Sequence, residues 1–271
     1  MYYISASDGV RIAVYDYNPK GCKTVVLIHG WPLSHKIYEY QVSLLTECGF
    51  RVVAVDLRGF GASDTPVCGY TYDQMAKDVY SVIRAMNLTG FVLVGFSMGG
   101  AIALRYMRRF KGYGVKRLIL LAAAAPSWTQ RPGYPYGKTR EEADELIHLA
   151  GVNRPELARQ FSHEQLFASP QTESVKNWFE GIALSASGIG TVQSAAALRD
   201  EDGRDDLLCV KVPTVIIHGA KDTVVSSDLV NIQKAYICNS ELITLENSGH
   251  AIMYDELGRF NHIFLQTVNE G

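Results

Sequence analysis

One pentapeptide has the residue types and spacing of a nucleophile turn, Gly95-Phe96-Ser97-Met98-Gly99. The run Phe91 to Val94 before it predicts a buried strand, and the run Ala101 to Phe110 after it predicts a helix. On such a turn a serine hydroxyl stands clear of the sheet, and glycine is needed where a Cβ would clash with the adjoining strand or helix. The free N–H groups at the start of the helix favour a developing oxyanion. We therefore expect Ser97 to act as a nucleophile.

A serine hydroxyl is a weak nucleophile, so this chemistry needs a base and an acid that orients the base. Both candidates occur later in the chain, in loops after predicted strands. Asp222 comes shortly after the strand predicted at Thr214 to Ile217, and His250 lies between the last predicted strand and the closing helix. Because parallel strands end at one edge of their sheet, we expect Ser97, Asp222 and His250 to meet there as a catalytic triad.

The other histidines and acids are weaker candidates. Five histidines fall in a predicted insertion, in the last helix or at strand ends, where they would brace loops: His148, His163, His262, His29 and His218. His35 stays open as an alternative, since it could face the pocket. Competing acids lie in a charged loop or on a helix surface, where we expect them to be solvated: Asp205, Asp206 and Asp228. The strand after the turn ends in Leu121 to Ala125, which offers no carboxylate.

Two backbone groups are candidates for binding the oxyanion. One is the N–H of Met98, directly after the nucleophile, and the other should come from the loop after an earlier strand. That loop reads His29-Gly30-Trp31-Pro32, in which Gly30 allows the backbone to bend inward and Pro32 has no N–H to donate. We expect the N–H groups of Trp31 and Met98 to form the oxyanion hole, with an ordinary Gly-Pro turn as the alternative.

Short β-branched runs alternate with longer helical patterns, as in a mostly parallel sheet covered on both faces. Strands are predicted at Tyr2 to Ser5, Arg11 to Tyr17, Thr24 to Ile28, Arg51 to Val55, Phe91 to Val94, Val115 to Ala122, Thr214 to Ile217 and Glu241 to Leu245. Helices are predicted at Ile37 to Cys48, Tyr72 to Met86, Ala101 to Phe110, Asp228 to Tyr236 and about Ile252 to Val268. The first two strands would form a hairpin around Asp8-Gly9.

This alternation stops at Pro126 and resumes after Lys211. Helices are predicted in between, at Glu141 to Ala150, Arg154 to Phe161, Ser174 to Ser185 and Val192 to Leu198. An insertion here would cover the strand ends where open α/β sheets hold ligands. We therefore expect residues 1–125 and 212–271 to form the core and residues 126–211 a helical cap, with a separate domain as the alternative.

The role of the cap's aromatic side chains stays open between pocket wall and core. They are Trp128, Tyr134, Tyr136, Phe161, Phe167, Trp178 and Phe179. The loop Arg131 to Gly137 is expected near the cap entrance.

Composition narrows the class of ligand. The 271 residues are 47% hydrophobic and 20% charged, and a net charge of -2 without a long Lys/Arg block indicates neither a nucleic-acid nor a membrane partner. No apolar stretch reaches bilayer length and Met1 to Ser5 lack a basic n-region, so we expect a cytoplasmic protein. A small-molecule substrate fits best, and a homo-oligomer is left open.

Neither a disulfide framework nor a metal site is expected. The five cysteines are scattered and form no C-x-x-C pair, which predicts reduced thiols. No group of His, Asp and Glu residues has ligand spacing, so the chemistry proposed for Ser97 requires no metal and no cofactor.

Five motifs in order resemble the α/β-hydrolase superfamily. They are His29-Gly30-Trp31-Pro32-Leu33-Ser34, Asp56-Leu57-Arg58-Gly59-Phe60-Gly61-Ala62-Ser63-Asp64, Gly95-Phe96-Ser97-Met98-Gly99-Gly100, His218-Gly219-Ala220-Lys221-Asp222 and Ser248-Gly249-His250. From Val10 to Phe264 the chain looks most like bacterial aryl esterases and cofactor-free haloperoxidases, or perhydrolases.

This resemblance implies an α/β-hydrolase fold and a serine hydrolase that cleaves small carboxylic esters, aryl or short-chain acyl, through an acyl-enzyme. It implies the triad Ser97, Asp222 and His250, the oxyanion donors Trp31 and Met98, and an architectural role for the second motif. In perhydrolase-like members a proline at the place of Pro32 accompanies attack by hydrogen peroxide, so peracid formation is an expected side activity.

Other members of the superfamily supply the alternatives. Carbon–carbon bond hydrolases and lactonases keep a serine nucleophile and stay open. Dehalogenases and epoxide hydrolases carry aspartate where this chain has Ser97 and are disfavoured. The alternative from a different class is a protein that binds a ligand without turnover, against which the intact Ser97, Asp222 and His250 argue.

Overall fold

The computed structural model describes residues 1–270, in which eight strands form one sheet. The strands are β1 (Tyr2–Ser5), β2 (Arg11–Tyr17), β3 (Thr24–Ile28), β4 (Arg51–Val55), β5 (Phe91–Phe96), β6 (Val115–Leu121), β7 (Thr214–Gly219) and β8 (Ser240–Leu245). Their order is β1-β2-β4-β3-β5-β6-β7-β8. The pairs β1–β2 and β2–β4 are antiparallel, and all pairs from β4 to β8 are parallel. The predicted mostly parallel sheet and its opening hairpin are confirmed.

Eleven α-helices cover this sheet in the described part of the chain. They are α1 (Glu39–Glu47), α2 (Tyr72–Ala85), α3 (Met98–Arg109), α4 (Arg140–Val152), α5 (Arg154–Gln160), α6 (Glu173–Leu184), α7 (Gly188–Asp200), α8 (Arg204–Leu207), α9 (Ser227–Tyr236), α10 (Ile252–Asp255) and α11 (Leu257–Asn269). Two further turns are helical, a 3-10 turn at His35–Tyr38 and a π-helical turn at Phe161–Gln165.

The central strands β3 to β7 are buried on both faces because they alternate their side chains between two hydrophobic cores, whereas the edge strands β1 and β8 are largely exposed or half-buried. Val26 and Ile28 of β3 pack into one core with residues of α2, α3 and α9. Val25 and Leu27 pack into the other core with residues of α1 and α11. This double burial explains why the strands are nearly continuous apolar runs, and it fixes the strand ends that carry the functional loops.

Two predicted helices differ from the observed ones. The helix predicted from Ile37 begins as the 3-10 turn, and α1 starts only at Glu39. The closing helix is broken at Glu256, which has φ -121° and leaves α10 as a single turn. The break coincides with hydrogen bonds from Asn247 N–H and Ser248 Oγ to the Glu256 carboxylate. The helical pattern is thus interrupted at Glu256, whose side chain is hydrogen-bonded to the neighbouring loop that contains Asn247 and Ser248.

Residues 126–211, called the insert below, contain α4 to α8 and join β6 to β7. A buried arginine ties the insert to the core. Arg105 of α3 is 7% exposed and donates to Asp206 Oδ2 at 2.7 Å, to Glu201 Oε2 at 3.1 Å and to Asp202 O at 3.1 Å. The prediction that Asp206 is solvated is therefore wrong, because a guanidinium buried at this seam requires a carboxylate partner.

All five cysteines are free thiols. Within residues 1–270 no single helix has the length and apolar composition to cross a membrane, although α6 and α7, joined by a 94° bend, pass that test when taken together.

Candidate active site

Ser97 occupies a sharp turn between β5 and α3. Its backbone has φ 54° and ψ -121°, a conformation that non-glycine residues rarely adopt and that costs energy to hold. The flanking glycines permit it: a Cβ at Gly95 would lie 2.5 Å from the Gly99 carbonyl oxygen, and a Cβ at Gly99 would collide with the carbonyl oxygens of Ile28 and His29. The turn therefore depends on both glycines of the predicted motif, and α3 begins directly after the serine.

The structure brings Ser97, His250 and Asp222 into one hydrogen-bonded row. His250 Nε2 lies 2.9 Å from Ser97 Oγ, and His250 Nδ1 lies 2.8 Å from Asp222 Oδ2. The side chains of His250 and Asp222 are fully buried. Because a carboxylate only accepts, Nδ1 donates to Asp222 and Nε2 is left to accept the serine proton. The three residues thus have the tautomer and contacts that general-base activation of a serine requires.

Asp222 is held as a carboxylate. Burial, the largest single cause, would raise its pKa, but attraction to the imidazoles of His250 and His218 and the hydrogen bonds from His250 and Val225 N–H together outweigh burial and lower the pKa below its usual value. The other oxygen, Oδ1, accepts the N–H groups of Val224 at 2.8 Å and Val225 at 2.9 Å. The carboxylate is therefore anchored on one side by backbone and presents its other side to the imidazole.

The competing histidines have other roles. His29 accepts Leu57 N–H at Nε2 and donates from Nδ1 to Gly30 O, so it braces the loop as predicted. His35 donates to Asp56 at 2.8 Å and stacks on Tyr15, which removes it as an alternative base. Each of these rings is committed to a partner other than Ser97.

His218 lies behind the carboxylate, with Nδ1 3.9 Å from Asp222 Oδ2. Burial lowers the pKa of His218 to about 4, and neither ring nitrogen has a hydrogen-bond partner among residues 1–270. His218 is therefore a neutral wall of the site at neutral pH, and it braces no loop through hydrogen bonds.

The two predicted oxyanion donors lie beside the serine. Met98 is the first residue of α3, and Trp31 follows Gly30, where an added Cβ would stand 2.8 Å from Ser97 Cβ. In the described chain neither N–H donates to another protein group. The Trp31 ring is fixed by a 2.9 Å hydrogen bond from its indole N–H to Thr191 O of the insert. Two free donors therefore stand next to Ser97, as stabilisation of an oxyanion requires.

A small apolar cavity of about 30 Å³ opens at Ser97. Loops at the strand ends form its floor, with Trp31, Ser97, Ala124 and Val224. The insert forms its roof, with Trp128, Leu146, Phe161, Gln165 and Leu198. This volume is far below that of ordinary ligand pockets. The roof must therefore shift, or its side chains turn, when a substrate enters.

The aromatic side chains of the insert take both roles that the sequence left open, pocket wall and core. Trp128 and Phe161 line the cavity, whereas Trp178 and Phe179 pack against Tyr254 and Phe167 packs against Phe179. Three residues of the loop Arg131 to Gly137 line a separate surface groove of about 500 Å³, namely Gly133, Tyr134 and Tyr136. Leu146 and Leu198 were missed, because an aliphatic side chain at helical spacing carries no signal that separates pocket from core.

Comparison with known proteins identifies the family of the fold. A family model described as alpha/beta hydrolase fold matches residues 23–257. The AB hydrolase superfamily protein YisY of Bacillus subtilis (strain 168) is 44% identical over 268 residues, covering 99% of each chain. The bifunctional esterase/perhydrolase DCH of Acinetobacter calcoaceticus is 28% identical over 275 residues, again covering 99% of each chain.

Solved structures give the same result. The esterase EaEST from Exiguobacterium antarcticum matches with a TM-score of 0.96 and 43% identity, covering 98% of both chains. With esterases and a perhydrolase among its relatives, the chain belongs to the alpha/beta hydrolase fold family.

Proposed function

We propose that this protein is a serine hydrolase that cleaves small carboxylic esters through an acyl-enzyme. The observation that carries the proposal is the unbroken row from Ser97 Oγ through His250 to Asp222, set beside two free backbone N–H groups. Similarity to the Exiguobacterium esterase supports the ester bond as the target.

Acylation begins when Ser97 Oγ attacks the ester carbonyl carbon and its proton passes to His250 Nε2. The carbonyl π electrons move to the oxygen, whose negative charge the N–H groups of Trp31 and Met98 stabilise. When the tetrahedral intermediate collapses, the bond to the alcohol oxygen breaks and His250 returns the proton to that oxygen. Asp222 stabilises the imidazolium throughout and does not itself take up the proton.

Deacylation repeats these steps with water. His250 removes a proton as the water oxygen attacks the acyl carbon, and the carboxylic acid leaves when Ser97 Oγ recovers its proton. Hydrogen peroxide in the place of water would yield a peracid by the same electron movements. The bifunctional name of the Acinetobacter relative and the presence of Pro32 support this side activity.

The insert acts as a cap in this proposal, with residues 1–125 and 212–271 as the catalytic core. Its apolar roof and the cavity of about 30 Å³ favour a short acyl group or one flat ring over a long chain. No cofactor takes part in any step. The substrate in this proposal is thus a small neutral ester.

The test compares hydrolysis of p-nitrophenyl acetate, butyrate and octanoate by the wild-type protein and Ser97→Ala. We expect acetate to be preferred and Ser97→Ala to lose about 10⁴-fold or more in kcat. The matched control is Ser162→Ala, since Ser162 is buried and its hydroxyl has no hydrogen-bond partner in residues 1–270. Wild-type turnover by Ser97→Ala, or turnover of lactones or carbon–carbon substrates without ester turnover, would contradict the proposal.

A further inference from the structure

The loop that carries His250, residues 246–251 and called the histidine loop below, is held by two adjacent carboxylates at the break between α10 and α11. Glu256 Oε2 accepts Asn247 N–H at 2.9 Å and Ser248 Oγ at 2.9 Å. Asp255 Oδ2 accepts Gly249 N–H at 2.7 Å. Three consecutive residues before His250 are therefore fixed by charge-assisted hydrogen bonds, which are stronger than neutral ones.

The two carboxylates differ in what else they hold. Among residues 1–270, the Glu256 carboxylate accepts hydrogen bonds only from the histidine loop and from Arg259. Asp255 also accepts Ala168 N–H at 3.0 Å, Ser169 N–H at 3.0 Å and Ser169 Oγ at 2.6 Å. These last two residues belong to the insert, directly after the π-helical turn that places Phe161 in the cavity roof. One carboxylate thus joins the roof to the histidine loop.

Two further contacts strengthen this junction. Ala251 N–H, on the other side of His250, donates to Leu166 O at 2.8 Å. A Cβ added to Gly249 would lie 2.9 Å from Ala168 N, so the two backbones touch. The residues on both sides of His250 are therefore bonded to the segment 166–169 or to the carboxylate that holds it.

We propose that Asp255 is a positioning residue that couples docking of segment 166–169 to the alignment of His250 with Ser97. When the segment is docked, Asp255 fixes Gly249 and the imidazole keeps its 2.9 Å contact with the serine. When the roof shifts to admit a substrate, the same carboxylate loses its partners in the insert and the histidine loop loosens. The inference rests on the proposed hydrolase function for its kinetic consequence, whereas the structural coupling stands without it.

The test uses a double-mutant cycle on p-nitrophenyl acetate hydrolysis, with Asp255→Ala, Ser169→Ala and their combination. We expect Asp255→Ala to lower kcat by about 10- to 100-fold with little change in KM, because small misplacements of a base are costly. Ser169→Ala should lower kcat about threefold, and the combined variant should be no worse than Asp255→Ala alone. The control cycle pairs Glu256→Ala with Ser169→Ala, whose effects should be additive.

Asp255→Asn is the conservative rescue. Its amide oxygen can still accept the N–H groups of Gly249 and Ala168, and its NH₂ can donate to Ser169 Oγ but cannot accept Ser169 N–H, so kcat should recover part of the loss. If Asp255 acted only through stability, the loss in kcat of each variant would instead follow the decrease in its melting temperature. Unchanged kcat in Asp255→Ala, or additive effects of Asp255→Ala and Ser169→Ala, would overturn the coupling.

Hydrogen exchange measured by mass spectrometry gives a readout independent of activity. Asp255→Ala should speed exchange in both the histidine loop and segment 166–169, whereas Glu256→Ala should speed it in the histidine loop alone. Unchanged exchange in segment 166–169 of a folded Asp255 variant would refute the coupling. An inactive wild-type protein would refute only the hydrolase function, so the two failures are distinguishable.

Discussion

The floor and the roof of the cavity are built by different means. On the floor side, Ser97 lines the cavity and is joined through His250 to Asp222 by hydrogen bonds of 2.8 to 2.9 Å, and all three residues lie just beyond strand ends. On the roof, Leu146, Leu198 and the insert's aromatic rings contact the cavity only through apolar surface. Proton transfer needs fixed distances, which strand register supplies, whereas selection of an acyl group needs only a shaped volume. Changes to the floor should therefore abolish chemistry, and changes to the roof should redirect it.

The largest effect should come from Asp222→Asn, which removes the carboxylate that bonds His250 without changing the shape of the side chain. The new amide oxygen should take the N–H groups of Val224 and Val225, which turns the NH₂ toward His250 and forces the proton onto Nε2. An imidazole in that tautomer cannot accept the serine proton. We expect kcat to fall about 10⁴-fold while the variant stays folded. A kcat within tenfold of the wild-type value would show that the row of Ser97, His250 and Asp222 does not activate the serine.

The next effect concerns the seam between core and insert. Asp206→Ala removes a buried partner of Arg105 and leaves part of the guanidinium charge unpaired, which should lower the free energy of unfolding by about 3 kcal/mol. Asp205→Ala is the matched control, since that side chain is 76% exposed and should change stability by less than about 0.5 kcal/mol. Urea unfolding measures both, and equal losses would show that the seam does not depend on this pair.

A smaller effect is expected on the roof. Leu146→Ala enlarges the cavity without touching the row, so kcat/KM for the butyrate ester relative to the acetate ester should rise about tenfold. Ile147→Ala is the control on the same helix, because Ile147 packs into the core rather than the cavity. An unchanged chain-length ratio in Leu146→Ala would mean that the acyl group does not lie under this roof.

The smallest expected effect is the change in the free energy of unfolding at acid pH that Asp222 causes. The Asp222 pKa is lower in the folded chain than the value of about 3.9 expected when unfolded, so its contribution to stability is present above that pH and is lost as pH falls through the folded value. The difference in unfolding free energy between wild type and Asp222→Asn should therefore stay constant above about pH 5 and shrink as the pH falls below about 4. A difference that does not change with pH would exclude this linkage.

The row of Ser97, His250 and Asp222 could be predicted from sequence because each of these residues lies in a short motif tied to a strand end. Strand positions follow from buried β-branched runs, and the motifs at Ser97, Asp222 and His250 are specific. The roof could not be predicted, because Leu146 and Leu198 face the cavity only through helix packing that no local pattern records. Asp206 was misjudged for a similar reason, since its partner Arg105 is 101 residues away in the chain.

The break at Glu256 escaped prediction because the residues 252–268 look helical throughout. The first turn ends at the residue whose carboxylate accepts hydrogen bonds from the histidine loop, a contact that no local pattern records. Sequence patterns thus located Ser97, Asp222 and His250 but not the tertiary contacts that hold the loops around them.

The most direct test of the central claim is covalent labelling of the intact protein with a fluorophosphonate, followed by peptide mass mapping. An activated serine beside an oxyanion hole should react once, and the phosphonate should map to Ser97. Ser97→Ala should remain unlabelled, and Asp222→Asn should label far more slowly. Absence of an adduct on Ser97 in the wild-type protein, or an equal adduct in Ser97→Ala, would contradict the account of Ser97 as the acyl-transfer nucleophile.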